Sequence, residues 1–341
     1  IIQQPPFDFK FLAKHILIIR PGAIGDMVVT LPTLGAIRGY FPNAMIEVMG
    51  YPTRLAMIKG PFYADIVSRF DQTDIAYLFV KDAKMPVSFM ERLGNMDLII
   101  SFVSTTDQIL ADNLNATGAL RVIHYEPFPA GSKGVHIVDH LLQSLDTLGI
   151  PYFDNIPRIF LHDEDIHFAE EFIKMSIADP KKKLIAIHPG SGSKQKCWPT
   201  ERFAALINWL NKEKKAHVFI VSGPADKEIT ERLKAEVKDH VTIVDHLSLS
   251  KLSAVIKRCN LFIGNDSGIT HLAAAVGTHT LSLFGPTDPK IWGPRGESVK
   301  ILYRKVHCSP CLADARKNCF AQTCLENIKV EDVMHEVKHR F

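Results

Sequence analysis

Three polar turns, each closing an apolar run, hold the residues whose types and spacing suit chemistry. The densest is in LFIGNDSGITHLAAAVGTHTLSLFGPTDP, residues 261–289. Leu261 to Ile263 reads as a buried strand and Gly264 to Gly268 as a turn. Ile269, Leu272, Ala273 and Val276 then recur at helical spacing up to Gly277, a C-terminal capping glycine. Ser267 and Gly268 would present backbone N–H groups at the helix start, suited to a phosphate or pyrophosphate. Gly268 lets a ligand approach the backbone closely. Asp266 would accept from a sugar or ribose hydroxyl, and His271, one turn in, would donate to a phosphate. A helix cap plus a satisfied histidine is the plainer alternative, and the density of polar groups favours a ligand site.

The second turn lies in IAIHPGSGSKQKCWPTERFAALINWL, residues 185–210. Gly190 to Ser193 can wrap an anion with backbone N–H groups, and Lys196 adds a full charge. Pro199 opens the next helix, and Trp198 is expected to pack at a domain edge. The third turn is RPGAIGDMVVTLP, residues 20–32. It lacks the G-x-G-x-x-G spacing of a dinucleotide fingerprint and the Gly-Lys-Ser/Thr of a phosphate loop. It offers one carboxylate, Asp26, at a helix start near Asp26 itself, where an N-cap is the plain alternative.

The elements around these turns repeat one architecture. Apolar runs at 15–20, 44–50, 64–70, 96–102 and 120–125 alternate with helical patterns, the last over Ile137 to Leu148. Prolines 151 and 157 mark a linker. The pattern restarts with strands at 183–188, 217–222, 241–244, 261–263, 278–284 and 298–303, between helices at 163–177, 200–213, 226–237 and 250–257. Strands alternating with helices predict parallel sheets covered by helices. The expected class is α/β: two Rossmann-like βα domains facing a central cleft. Their bounds are 1–155 and 156–325, with an amphipathic C-terminal helix over 326–341. Ligands of such sheets sit beyond the carboxyl ends of the strands, where all three turns fall.

With 341 residues, two domains of ordinary size fit. The net charge of +3, from 40 basic and 37 acidic residues, argues against a nucleic-acid partner. No stretch reads as a signal peptide, and no apolar run approaches the roughly 18–20 residues of a membrane span. A soluble, cytoplasmic protein is expected, so disulfides are not. Of the 6 cysteines, Cys308, Cys311, Cys319 and Cys324 cluster. Cys308-x-x-Cys311 is half of a zinc pattern, but Cys319 and Cys324 do not repeat it, and no metal is assigned.

Taken together, G-x-x-G-D with a following TLP, HPGSGSKQKCWP, and NDSGITHLAA resemble glycosyltransferase family 9, the lipopolysaccharide heptosyltransferases, over roughly residues 15–330. The resemblance implies the two-domain GT-B fold, with an N-terminal acceptor domain and a C-terminal nucleotide-sugar domain. It implies an inverting enzyme that moves heptose from ADP-heptose, or a related nucleotide sugar, onto the inner core of a lipopolysaccharide precursor, without a cofactor. Asp26 would be the catalytic base. Ser193, Lys196, Asp266, Ser267, Gly268 and His271 would hold the donor. The family places a ribose carboxylate in VSGPADKEI, where Asp226 and Glu228 are both open. The implied acceptor is an anionic glycolipid of the Kdo-lipid A type, met at the inner face of the cytoplasmic membrane with peripheral contact at most. Arg20, Arg54, Lys59, Arg121 and Lys133 are the basic candidates for it. Two rivals remain open: a transferase of another nucleotide sugar, and a nucleotide-binding module without turnover. A nicotinamide oxidoreductase is disfavoured by the missing fingerprint.

Overall fold

The computed structural model describes residues 13–129, 134–177, 179, 181–213, 216–311 and 313–339. By contact the chain divides into two compact units, 1–155 and 156–341. Each is built on one wholly parallel sheet.

In the first unit the strands are β1 (His15–Ile19), β2 (Met45–Gly50), β3 (Ile66–Arg69), β4 (Leu98–Ser101) and β5 (Val122–His124). They lie side by side in the order β3-β2-β1-β4-β5. Between them run α1 (Ile24–Tyr40), α2 (Pro52–Leu55), α3 (Val87–Gly94) and α4 (Ile109–Asn115), followed by α5 (Ile137–Leu142). β1 is central because Ile16 to Ile19 are apolar on both faces, and all four are buried. Leu17, Ile19 and Ile99 pack with Leu78, Phe89, Leu93 and Leu110 in one apolar cluster.

The second unit begins with α6 (Asp163–Ser176). Its strands are β6 (Leu184–His188), β7 (His217–Val221), β8 (Thr242–Val244), β9 (Leu261–Asn265), β10 (Thr280–Phe284) and β11 (Val299–Tyr303). The order is β11-β10-β9-β6-β7-β8, the doubly wound arrangement of a dinucleotide-type fold. Its helices include α7 (Thr200–Glu213), α8 (Lys227–Glu236), α9 (Leu249–Lys257) and α10 (Gly268–Ala275). Gly277 follows α10 with a φ of 75°, in the left-handed region that a helix-ending glycine adopts.

The C-terminal helix, Val330–Lys338, is no separate element. Val333 and Val337 are fully buried against the same apolar cluster as Phe203, Leu206, Ile207 and Leu210 of α7. Trp198 is not at an edge either. It is wholly buried in that cluster, and its indole Nε1 donates to Ile328 O at 2.9 Å.

Both sheets have one position where the strand order reverses, and a crevice opens at the carboxyl ends of such strands. In the first unit it falls between β1 and β4, in the second between β6 and β9. Asp26 follows β1. His188 ends β6, and Asp266 to Gly268 follow β9.

Candidate active site

The site residues of the first unit hang on α1. The helix begins at Ile24, so Asp26 occupies its third residue and is not the N-cap expected from the glycine turn. The carboxylate reaches back instead, and Asp26 Oδ2 accepts from Ala23 N at 2.7 Å. Asp26 Oδ1 lies 3.7 Å from Arg20 Nη2. Gly22 is required here, because a Cβ on it would stand 2.7 Å from Asp26 Cβ.

Arg20 overturns its assignment to the acceptor. Its side chain is 1% exposed and lies beneath Asp26. Arg20 Nε donates to Thr30 Oγ1 at 3.1 Å and Nη1 to Phe102 O at 3.3 Å, across the point where the strand order reverses. Burial lowers the guanidinium from its usual value, and the charges of Asp26 and Glu126 oppose that shift. It remains a cation. An arginine this deep cannot meet a ligand at the surface, and what it touches is the candidate base.

Arg54 stays at the Asp26 end. It follows β2, donates to Gly22 O and lies over the Tyr51 ring at 4.4 Å. Lys59 is exposed near it in sequence. Arg121 is at the wrong end of the sheet: it precedes β5, at the amino ends of the parallel strands, and its Nη2 is bound to Thr147 O at 2.7 Å. Lys133 lies outside the described residues.

In the second unit, sequence-distant groups converge on the start of α10. Ser267 is its N-cap, with Oγ accepting from Thr270 N at 3.3 Å. The backbone amides of Ser267, Gly268 and Ile269 donate to no acceptor among the described residues. Amides left open at a helix start are the arrangement that an anion cradle requires. Lys196 arrives from the β6 loop, and its Nζ sits 2.7 Å from Asp266 Oδ2. Thr287 Oγ1 donates to the same oxygen at 2.6 Å, and Ser191 Oγ donates to Asp266 O at 2.6 Å. The expected pair of donor ligands is thus brought together, each occupied by the other. Gly268 is half-buried at the cradle, and His271 is buried one turn into α10. Ser193 turns its hydroxyl aside to Gln195 Oε1 at 2.7 Å.

Other groups were not singled out by sequence. Asn265 ties β9 to the β6 loop, accepting from Trp198 N at 2.9 Å and donating to Pro189 O at 2.7 Å. His188 lies between Ser267 and Asp226. Its Nδ1 is 3.2 Å from Ser267 Oγ and its Nε2 is 3.2 Å from Asp226 Oδ2. Gly223 N donates to the same Asp226 oxygen at 2.9 Å. Burial works to raise the Asp226 carboxyl, but the hydrogen bonds from His188 and from the Gly223 amide oppose it, and the carboxyl is held below the usual range. Beside it, burial and the Asp226 charge push the Cys197 thiol up to about 11. The only sequence signals were a histidine before Pro-Gly and an asparagine before Asp-Ser-Gly.

Asp226 is therefore turned inward and spent. Glu228, two residues on, is exposed, pairs with Lys194 at 3.4 Å and lines a pocket of about 290 Å³ with Gly190, Ser191, Cys197 and Trp198. Asp226 lines the same pocket, but its carboxylate is engaged by His188 and Gly223, so Glu228 is the more accessible of the two open carboxylates.

The profile of glycosyltransferase family 9 (heptosyltransferase) matches residues 125–320. The chain is 25% identical over 335 residues to lipooligosaccharide heptosyltransferase 2 of Campylobacter jejuni, covering 95% of this chain and 98% of that one. It is 24% identical over 300 residues to lipopolysaccharide heptosyltransferase 3 of Escherichia coli K12, covering 81% and 83%. A glycosyl transferase family 9 protein from Veillonella parvula superposes with a TM-score of 0.79 at 20% identity, covering 99% of each chain. The Escherichia coli ADP-heptose heptosyltransferase II does so with a TM-score of 0.73 at 15% identity, covering 96% of this chain and 98% of that one. Heptosyltransferase WaaC of Escherichia coli with ADP gives 0.67 at 18% identity, covering 96% and 100%. At these identities the structural likeness shows a common fold: two parallel-sheet Rossmann-like units of the GT-B type.

Proposed function

Because the chain belongs to glycosyltransferase family 9, we propose that it moves heptose from ADP-heptose onto the inner core of a lipopolysaccharide precursor. The observation that carries this reading is the start of α10. Three successive amides that meet no acceptor among the described residues follow Asp266, the partner of Lys196, at the switch point of the second sheet. A departing nucleoside diphosphate gathers negative charge, and amides fixed in advance receive it at no cost of reorganisation. Relatives named for heptose transfer, and a solved neighbour holding ADP, support the donor's identity.

Each unit supplies one part of the reaction. In the first, Asp26 takes the proton of the acceptor hydroxyl as its oxygen attacks the anomeric carbon. The glycosidic bond to ADP breaks in the same displacement, so the configuration inverts. Arg20 holds the Asp26 carboxylate from below. In the second, Lys196 exchanges its Asp266 partner for the diphosphate, the amides of Ser267 and Gly268 donate to it, and His271 stands one turn behind. Asp266, released from Lys196, is left to a sugar hydroxyl. Glu228 accepts from the ribose. The acceptor is an anionic glycolipid met by Arg54 and Lys59, which makes contact with the membrane peripheral. No described helix is long and apolar enough to cross a membrane.

The test is acceptor-dependent release of ADP from ADP-heptose, with thermal shifts by ADP, UDP and GDP beside it. At a ligand concentration about a hundred times Kd, binding to the folded state adds about 2.7 kcal/mol. Stabilisation by ADP alone, with turnover, is expected. Stabilisation by UDP or GDP alone would assign a different nucleotide sugar. ADP binding without turnover in the presence of acceptor would leave a binding module.

A further inference from the structure

The side chains of Asp226, His188 and Ser267 form a hydrogen-bonded chain that has no role in the reaction as written above. It joins the carboxyl ends of three neighbouring strands, β7, β6 and β9, directly behind the amides of the donor cradle. All three residues are buried. Asp226 fits its place so closely that a Cβ on Gly190 would stand 1.9 Å from Asp226 Oδ1.

The protons in this chain can be counted. Asp226 is an acceptor, so His188 Nε2 carries hydrogen. Thr270 Oγ1 gives its own hydrogen to Asn265 O at 2.5 Å. Ser267 Oγ accepts from Thr270 N and lies 3.1 Å from Thr270 Oγ1. The hydroxyl hydrogen of Ser267 then has two acceptors within reach. With neutral His188 it goes to the bare Nδ1. With His188 doubly protonated, Nδ1–H donates to Ser267 Oγ and the hydroxyl turns to Thr270 Oγ1. Both charge states leave every group satisfied without moving a heavy atom. A buried network that is complete in two charge states can follow a nearby charge at little cost.

We propose that His188 is a positioning residue that takes one proton from solvent when a diphosphate occupies the start of α10. The imidazolium then stands between the Asp226 carboxylate and Ser267, adding a positive charge behind the departing group. The inference rests on the donor reading given above. Ionisable groups on the surrounding elements include Cys197, Lys196 paired with Asp266, Lys194 paired with Glu228, Lys227 and Arg232 on α8, and His271 on α10. A substitution at His188 leaves these residues in place, so they are present in both proteins compared.

The experiment measures Kd for ADP by calorimetry from about pH 9 to about pH 6, across the imidazole range, for the wild-type chain and for His188→Gln. Glutamine keeps a donor for Asp226 and an acceptor for Ser267 but cannot be charged. The ratio of the two Kd values cancels the titration of ADP itself. It should be near one at the alkaline end and rise by about tenfold or more toward the acid end, the effect of one opposite charge nearby. A ratio that stays constant with pH overturns the proposal and leaves His188 structural. Failure of wild-type protein to bind ADP at any pH overturns the donor reading instead. Should His188→Gln not fold, nitrogen NMR of histidine-labelled wild-type protein decides. Saturation with ADP should convert one buried imidazole to the doubly protonated form, and histidine signals unmoved by ADP overturn the proposal.

Discussion

Replacing Asp26 by asparagine separates the chemistry from the scaffold. Asparagine keeps an oxygen for the 2.7 Å bond from Ala23 N, so the first turn of α1 holds. What goes is the ion pair with Arg20 at 3.7 Å. Its gross Coulomb energy at an effective dielectric of 20 is about 4 kcal/mol. The Asp26 side chain is 23% exposed, and Arg20 keeps its bonds to Thr30 and Phe102, so most of that is offset by relief of desolvation. The net loss of stability should be about 1–2 kcal/mol, against a total of about 5–15 kcal/mol for a folded domain. Loss of a general base costs about 10²–10⁴ in rate, or about 3–5 kcal/mol in the barrier. The assay is release of ADP from ADP-heptose with acceptor at saturation, with ADP affinity measured beside it. Turnover should fall at least a hundredfold while Kd for ADP stays within about twofold, since the cradle belongs to the other unit. A variant retaining a tenth or more of wild-type turnover refutes the assignment of the base. A parallel loss of ADP affinity refutes the division of labour between the units.

Arg20→Met should cost about 3 kcal/mol of stability, the low end for breaking a buried pair, because Asp26 still reaches water. Its turnover should fall while Kd for ADP holds, and a denaturant midpoint equal to wild type would show that the buried charge is unimportant. Gly190→Ala drives a methyl into Asp226 Oδ1 and should cost about 1–3 kcal/mol by overpacking, together with weaker ADP binding; unchanged melting and affinity would count against the fit described. Asp226, held below its ordinary range, binds fewer protons folded than unfolded. Its contribution is therefore complete above the unfolded value of about 4 and is lost as pH falls through the folded one. Denaturant titrations below about pH 4 should show a shallower decline of stability for Asp226→Asn than for the wild-type chain.

The parts legible in the sequence were those set by local pattern. Ile16 to Ile19, Leu184 to Ile187 and Leu261 to Ile263 are unbroken apolar runs of strand length, and two rounds of them predict two parallel sheets. The segments 71–95 and 103–115 gave no such pattern, and there the structure holds a 3-10 turn over Thr73–Phe79 and the short helices α3 and α4. Glycine blurred the start of α1, because Gly25 reads as turn but is taken into the first helical turn. The helix start at Ser267 was legible because it follows a strand end in one continuous stretch. What was not legible depends on groups far apart in the chain. Arg20 is buried by Thr30 and by Phe102 O, 82 positions away. His188 is held by partners 38 and 79 positions away. An arginine or histidine at a strand end looks the same in sequence whether it meets solvent or a carboxylate.

The burial of Trp198 also has an optical consequence. The three tryptophans, Trp198, Trp209 and Trp292, all belong to the second unit. Light absorbed only by indole therefore excites that unit alone, and the first unit stays dark. Trp198 is shielded from water and bonded through its own amide to Asn265, beside the β6 loop that carries Lys196. Its emission should be blue-shifted in the folded state and should move when a ligand reorders that loop. Titration with nucleotide, and unfolding of the donor unit by itself, can thus be followed on the unmodified chain without any label.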